Sequence, residues 1–111
     1  NYDASRSAWL KAADAKKSAY TAPLCYYNAA ICSENLNDLE GAVSGYEKAI
    51  SSKDFYLIDH AYFSLGRVNE AKGDLEKAVA AYEKIEAIHS GSRWANLAKD
   101  RIIAINSTKA E

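Results

Sequence analysis

The most constraining feature of this sequence is an internal repeat with an offset of 36 residues. Residues 37–50 read NDLEGAVSGYEKAI and residues 73–86 read GDLEKAVAAYEKIE, and eight of these fourteen positions are identical. The same offset aligns Tyr26 with Tyr62 and Glu34 with Glu70 without a gap. Self-similarity at this period is the signature of an array of repeated structural units, so the chain is predicted to form one domain built from such units.

Each unit has the pattern of two helices joined by a tight turn. The turns, Asn37-Asp38 and Gly73-Asp74, pair a residue that tolerates left-handed backbone with an aspartate that can cap the following helix. Small and aromatic residues recur at three–four spacing on the first helix of each unit. They are Tyr26, Ala29, Ala30 and Ser33 in one unit, and Tyr62, Leu65, Gly66 and Asn69 in the next. The chain is therefore predicted to be all-α.

These motifs are similar to the tetratricopeptide repeat. A small residue in the first helix, a Gly-Asp-Leu-Glu-Lys-Ala turn and an aromatic residue four positions after that alanine occur in residues 65–85, and less fully in 26–50. The resemblance implies a right-handed superhelix of antiparallel helical hairpins that acts as a protein-interaction scaffold. Two departures stand out. The proline that usually ends the second helix is absent, and the repeat exceeds the usual length of about 34 residues, which predicts an extended link around residues 51–56.

Helices are also predicted on both sides of the two repeats. Residues 4–20 are rich in Ala and Lys, and Pro23 stands where a new helix would start. Residues 92–106 begin with Ser92, which can cap a helix, and carry an apolar stripe of Trp94, Leu97, Ala98, Ile102 and Ile105. We therefore expect about six helices in one domain. Its parts are an N-terminal helix in 1–22, repeats in 23–56 and 57–90, and a capping helix in 91–107.

Catalytic and metal-binding patterns are missing from the sequence. His60 and His89 have no second ligand at metal-binding spacing, and Cys25 and Cys32 are too far apart on one helix to form a disulfide. The net charge of −1 argues against general nucleic-acid binding, and no apolar run is long enough to insert into a bilayer. We expect no enzyme activity, no catalytic residue, no metal and no cofactor.

The predicted functional surface is the groove that the first helices of successive hairpins line in tetratricopeptide arrays. Aromatic, aliphatic and arginine side chains of the kind enriched in binding hot spots face it. The residues expected to bind a partner are Tyr27, Ile31, Glu34, His60, Phe63, Arg67 and Glu70. Only Arg67 is cationic among them, so an apolar or amphipathic segment of a protein is favoured over a C-terminal carboxylate. The alternative is that these side chains form ordinary core with the flanking helices.

A second function stays open at this point. The chain could be a structural segment of a longer solenoid, or could self-associate through apolar end faces at Trp9 or Trp94. It contains no Met, which suggests a processed form or a part of a larger chain. Residues 88–102, IHSGSRWANLAKDRI, resemble tetratricopeptide proteins of the bacterial cell envelope. That likeness implies a location in the periplasm or cell envelope.

Overall fold

The computed structural model describes residues 1–16 and 21–109, and over these ranges the chain forms six α-helices and no strand. The helices are α1 (Tyr2–Lys16), α2 (Thr21–Asn35), α3 (Leu39–Ile50), α4 (Ile58–Lys72), α5 (Leu75–Ile88) and α6 (Arg93–Lys109). Each helix packs on its neighbours in the sequence, and α4 also contacts α6. The predicted all-α array of helical hairpins is confirmed.

The turns inside the two repeats have the backbone that their sequences predict. Asn37 and Gly73 have φ angles of 60° and 82°, in the left-handed region that Asn and Gly tolerate. Asp38 caps α3 by accepting from the backbone N–H of Gly41 at 3.0 Å. Asp74 stands at the equivalent N-cap position of α5, but its side chain makes no cap hydrogen bond and pairs with Lys77 at 3.6 Å.

The start of α2 differs from the prediction that a helix begins at the proline. The helix begins at Thr21, and Pro23 is its third residue. Proline is tolerated there because the first N–H groups of a helix have no partner within the helix. The N-terminal helix predicted over residues 4–20 begins earlier, at Tyr2. Its predicted portion in 17–20 lies outside the described residues.

Two tyrosines at equivalent positions of the repeat form the centres of two apolar clusters. Tyr46 of α3 is fully buried with residues of α2 and α4, and Tyr82 of α5 is fully buried with residues of α6. Tyr82 lies so close to Gly66 that a Cβ atom at Gly66 would stand 2.5 Å from the tyrosine ring. The glycine of the first helix therefore allows the close approach of α4 and α5.

The last helix repeats the register of α4 at an offset of 34 instead of 36. Buried Ala95 and Ala98 correspond to buried Ala61 and Ser64. The last helix, α6, therefore occupies the place that the first helix of a third repeat would take. Ser92 caps it by accepting from the backbone N–H of Ala95 at 3.1 Å, as predicted. The side of α6 that would face a second helix carries exposed polar residues, namely Asn96, Lys99 and Asp100.

Two further predictions concern the cysteines and the ability of the helices to cross a membrane. Cys25 and Cys32 are both buried in α2, and both are free thiols. Among the described residues, no helix combines the length and the apolar character needed to cross a membrane.

Candidate functional site

The seven side chains predicted to bind a partner lie on one face of α2 and one face of α4. Their three–four spacing keeps them together along each helix, and an ion pair between Arg67 and Glu34 brings the two faces side by side. The same surface continues onto α6. We call it the inner face; it comprises Tyr27, Ile31, Glu34, His60, Phe63, Arg67, Glu70, Trp94, Leu97 and Arg101.

Glu34 accepts hydrogen bonds from two helices other than its own. The hydroxyl of buried Tyr46 in α3 donates to its carboxylate, and so does Nη2 of Arg67 in α4, at 2.6 Å. Burial and the neighbouring carboxylate of Glu34 raise the pKa of Tyr46 far above its usual range, so the hydroxyl remains a donor at neutral pH. Glu34 thus links both helices of its own repeat to the next repeat.

Glu70 makes the same set of contacts one repeat later. It accepts from the hydroxyl of Tyr82 in α5 at 2.5 Å and from Nε of Arg101 in α6 at 3.1 Å. The hydrogen bonds from Arg101 and Tyr82 hold the pKa of Glu70 below its usual value, and the charge of Arg101 adds to this effect. Two Tyr–Glu–Arg clusters therefore join α2 to α6, and their acids and arginines neutralise one another.

The α2 part of the inner face presents apolar surface to solvent. Tyr27 packs edge-on against both Tyr46 and Phe55, with ring centroids 5.7 Å apart in each pair. Burial, together with the charge of Glu34, raises the pKa of Tyr27. Ile31 is 36% exposed, and Tyr56, which contacts Phe55, is 74% exposed.

The α4 part is more enclosed. The ring of Phe63 lies 5.3 Å from that of Tyr82 and 5.1 Å from that of Trp94, so it packs between α5 and α6. The ring of His60 lies 4.3 Å from Trp94. Both side chains are half-buried, and they belong largely to contacts with the flanking helices. The inner face therefore has an aromatic floor of half-buried rings on α4, with exposed apolar side chains on one side toward α2 and on the other side toward α6.

Sequence reasoning missed the α6 part of this surface. Trp94 and Arg101 contact α4, and Leu97 lies between them on the same face of α6 and is 39% exposed. Leu97 belongs to the apolar stripe predicted for this helix, but unlike buried Ala98 and Ile105 it is exposed. An offset of 34 would have aligned Leu97 with Phe63 and Arg101 with Arg67, whereas the offset of 36 that relates the two repeats conceals both matches.

The part of the chain that the structure describes holds no group of three or more His, Cys, Asp and Glu residues that could ligate a metal ion. His89 contacts Asp59 at 2.8 Å, which joins the end of α5 to the start of α4. The inner face itself carries hydrogen-bond donors, apolar side chains and aromatic rings, which are the kinds of group found in protein–protein interfaces.

Comparison with known proteins agrees with the repeat. The family model described as Tetratricopeptide repeat matches residues 24–55 and 59–88, which together make up more than half of the chain. Searches among curated proteins and among solved structures find no match. The first matched segment covers most of α2 and all of α3, and the second covers most of α4 and all of α5; each intervening turn has one residue in the left-handed region. The chain belongs to the tetratricopeptide repeat family, whose repeats generally mediate protein–protein interactions.

Proposed function

We propose that this chain is a protein-interaction scaffold whose inner face binds an apolar or amphipathic segment of a partner protein. The observation that carries the proposal is the apolar surface left open on both sides of the aromatic floor. Ile31 and Tyr56 stand on one side and Leu97 on the other, and all three are exposed. Exposed apolar side chains that cluster beside half-buried aromatic rings are typical of surfaces with a partner.

The charges of the inner face support an uncharged contact rather than the capture of a carboxylate. Arg67 and Arg101 are each paired with a glutamate that is mostly buried. A partner carboxylate would have to compete with Glu34 or Glu70 for these guanidinium groups. Each arginine has five N–H donors, and Arg67 uses only Nη2 in its contact with Glu34. The other donors can bind backbone carbonyl groups of a segment lying over Ile31 and Leu97.

Binding of this kind needs no cofactor and no catalytic residue, so we propose a scaffold role without enzyme activity. The likeness of residues 88–102 to cell-envelope members of the family supports a further proposal, that the chain works in the bacterial envelope. Fractionation of the source cells with an antibody against the chain tests the location. Recovery in the cytosolic fraction alone would contradict it.

The binding proposal is tested by capture from the source cells with three forms of the chain. These are the wild type, an inner-face variant with Ile31→Asn and Leu97→Asn, and a control with Ile103→Asn. Ile103 is an exposed isoleucine of α6 outside the inner face, so the control makes the same chemical change elsewhere. Partners bound through the inner face are lost by the double variant and kept by the control. Equal recovery with all three forms would place the binding surface elsewhere. Light scattering of each form at increasing concentration tests the alternative, that the chain self-associates.

A further inference from the structure

A second groove lies where α4 forms a floor between α3 and α5. Two adjoining cavities of about 560 and 490 Å³ make it up, and they share Ile50, Tyr62 and Lys84. The α4 floor from Ile58 to Lys72 has 15 residues, which is about 20 Å of helix. We call this surface the outer groove. It is long enough for several residues of a bound segment.

One end of the outer groove is apolar and carries only positive charge. Its floor is Ile58 and Tyr62, and Ile50 and Ile88 form its walls. Ile88 is 41% exposed. Among the described residues, the charged side chains that line this cavity are Lys53 and Lys84. The cavity therefore fits a large apolar side chain with acidic groups beside it.

The other end of the outer groove is lined by two glutamates, Glu40 and Glu47, and by three lysines, and among the described residues it holds one unpartnered polar group. Lys72 pairs with Glu40 at 2.7 Å, and Lys77 pairs with Asp74. Asn69, which lines this cavity, is only 3% exposed, and its Oδ1 has no hydrogen-bond partner within the described residues. A buried amide oxygen without a donor is costly, so an N–H group entering this end would gain a hydrogen bond.

The equivalent place in the first repeat shows how the chain can satisfy such a group. Ser33 and Lys48 correspond to Asn69 and Lys84 at the offset of 36. There Arg6 of α1 donates to Ser33 at 3.3 Å, and the cavity is smaller, about 370 Å³. Lys48 is also engaged, because its Nζ lies 5.2 Å from the centre of the Tyr26 ring. In the first groove the serine and the lysine thus both have partners within the chain, whereas among the described residues Asn69 Oδ1 has no hydrogen-bond partner and Lys84 lines the cavity.

We propose that the outer groove binds a segment of a partner protein in which a large apolar side chain is flanked by acidic residues. The apolar side chain enters the cavity between Ile58 and Ile88, and the acidic side chains contact Lys53 and Lys84. A backbone N–H of the same segment donates to Oδ1 of Asn69. This site is separate from the inner face, so the chain can hold two protein segments at once.

Designed peptides of known composition test this proposal with the whole chain. One labelled peptide of about fifteen residues, the length of the groove floor, contains leucine, alanine and glutamate with leucines at helical spacing. A second peptide has lysine in place of every glutamate. We expect the acidic peptide to bind at least about tenfold more tightly and to lose affinity as salt is added. Amide NMR shifts on titration should centre on Tyr62, Lys84 and Ile88.

Charge-reversed variants of exposed lysines locate the peptide on the chain. The double variant Lys53→Glu with Lys84→Glu should weaken the acidic peptide about tenfold or more. Lys48→Glu, the same change at the equivalent position of the first repeat, should alter affinity by less than about twofold. The inner-face variant with Ile31→Asn and Leu97→Asn should bind the peptide like the wild type, so this result is independent of the proposed function.

Several outcomes would overturn the proposal. Equal affinity for the acidic and basic peptides would remove the role of the lysines, and so would an unchanged affinity of the Lys53→Glu, Lys84→Glu variant. NMR shifts centred on Ile31 and Leu97 would move the peptide to the inner face. No saturation up to about 1 mM peptide, equivalent to a binding free energy weaker than about −4 kcal/mol, would show that the outer groove does not select such a segment.

Discussion

Arg67 of α4 donates to the carboxylate of Glu34 of α2 at 2.6 Å, and this contact joins helices from two different repeats. Arg101 of α6 makes the same kind of contact with Glu70 of α4. Each glutamate also accepts from a buried tyrosine of its own repeat. The relative placement of successive hairpins is therefore stabilised by a repeated polar cluster as well as by apolar packing.

Replacing Glu34 with glutamine should destabilise the fold by about 1–3 kcal/mol, because the Tyr46 hydroxyl and Arg67 lose a charged acceptor. The measurement is the free energy of unfolding in urea. Glu83→Gln is the control, since Glu83 is exposed on α5 and its replacement should change stability by less than about 0.5 kcal/mol. Equal effects of the two substitutions would show that the cluster contributes nothing to stability.

Removing only the hydroxyl of Tyr82 should cost about 1–3 kcal/mol, since Tyr82→Phe keeps the ring in the core but deletes its bond to Glu70. Tyr82→Ala should cost more, about 3–5 kcal/mol, because it also leaves a cavity. Thermal unfolding followed by circular dichroism ranks the two variants. Tyr2→Phe serves as the control at an exposed tyrosine. A Tyr82→Phe variant as stable as the wild type would contradict a stabilising role of the hydroxyl.

Adding one methyl group at Gly66 should destabilise the second hairpin by about 1–3 kcal/mol, because the new Cβ would overlap the ring of Tyr82. The variant is Gly66→Ala, measured by urea denaturation. Alanine is the better helix former at an unhindered position, so a stabilised variant would show that α4 and α5 can separate freely. Ala71→Ser, at an exposed position of the same helix, should stay within about 0.5 kcal/mol of the wild type.

The free energy of unfolding should decrease as the pH is lowered, and protonation of Glu70 should account for part of this decrease. Its pKa is lowered in the folded state by Arg101 and Tyr82 from an ordinary value of 4.5. Its ionised form therefore contributes stability above about pH 4.5, and that contribution is lost as the pH falls through the folded-state pKa.

Unfolding free energies of the wild type and Glu70→Gln from pH 7 to pH 3 measure this contribution. The variant should be less stable at pH 7 and should lose less stability on acidification. Some dependence should remain, because the pKa values of Asp38 and Glu86 are also lowered. Parallel curves for the two proteins would assign the pH dependence to other groups.

Much of the fold was predictable because its determinants are local in the sequence. The left-handed residues Asn37 and Gly73 end their helices where the pattern indicates, and Asp38 and Ser92 cap the next ones. Cap strength was less predictable. Asp74 matches Asp38 in the repeat, yet its carboxylate pairs with Lys77 and makes no cap hydrogen bond. The choice between the two contacts depends on side-chain geometry that the residue type does not set.

The inner face was predictable only in part. Helical spacing places Tyr27, Ile31, Arg67 and their neighbours on common faces of α2 and α4, since that spacing is a property of each helix alone. Spacing could not show that Phe63 would lie beneath Trp94, or that Leu97 would be exposed while the rest of its stripe packs inward. Those outcomes follow from how α6 docks on α4, with a register of 34 residues.

The residue pattern alone established the helical hairpins, their turns and their family, because the contacts that form them are made within a few residues of the chain. It did not establish which charges are available to a partner. Glu34 and Arg67 are separated by 33 positions, and they pair because consecutive hairpins stack at the right distance. The packing of α3, α4 and α5 likewise left Lys84 lining an apolar cavity, whereas its equivalent Lys48 lies over an aromatic ring.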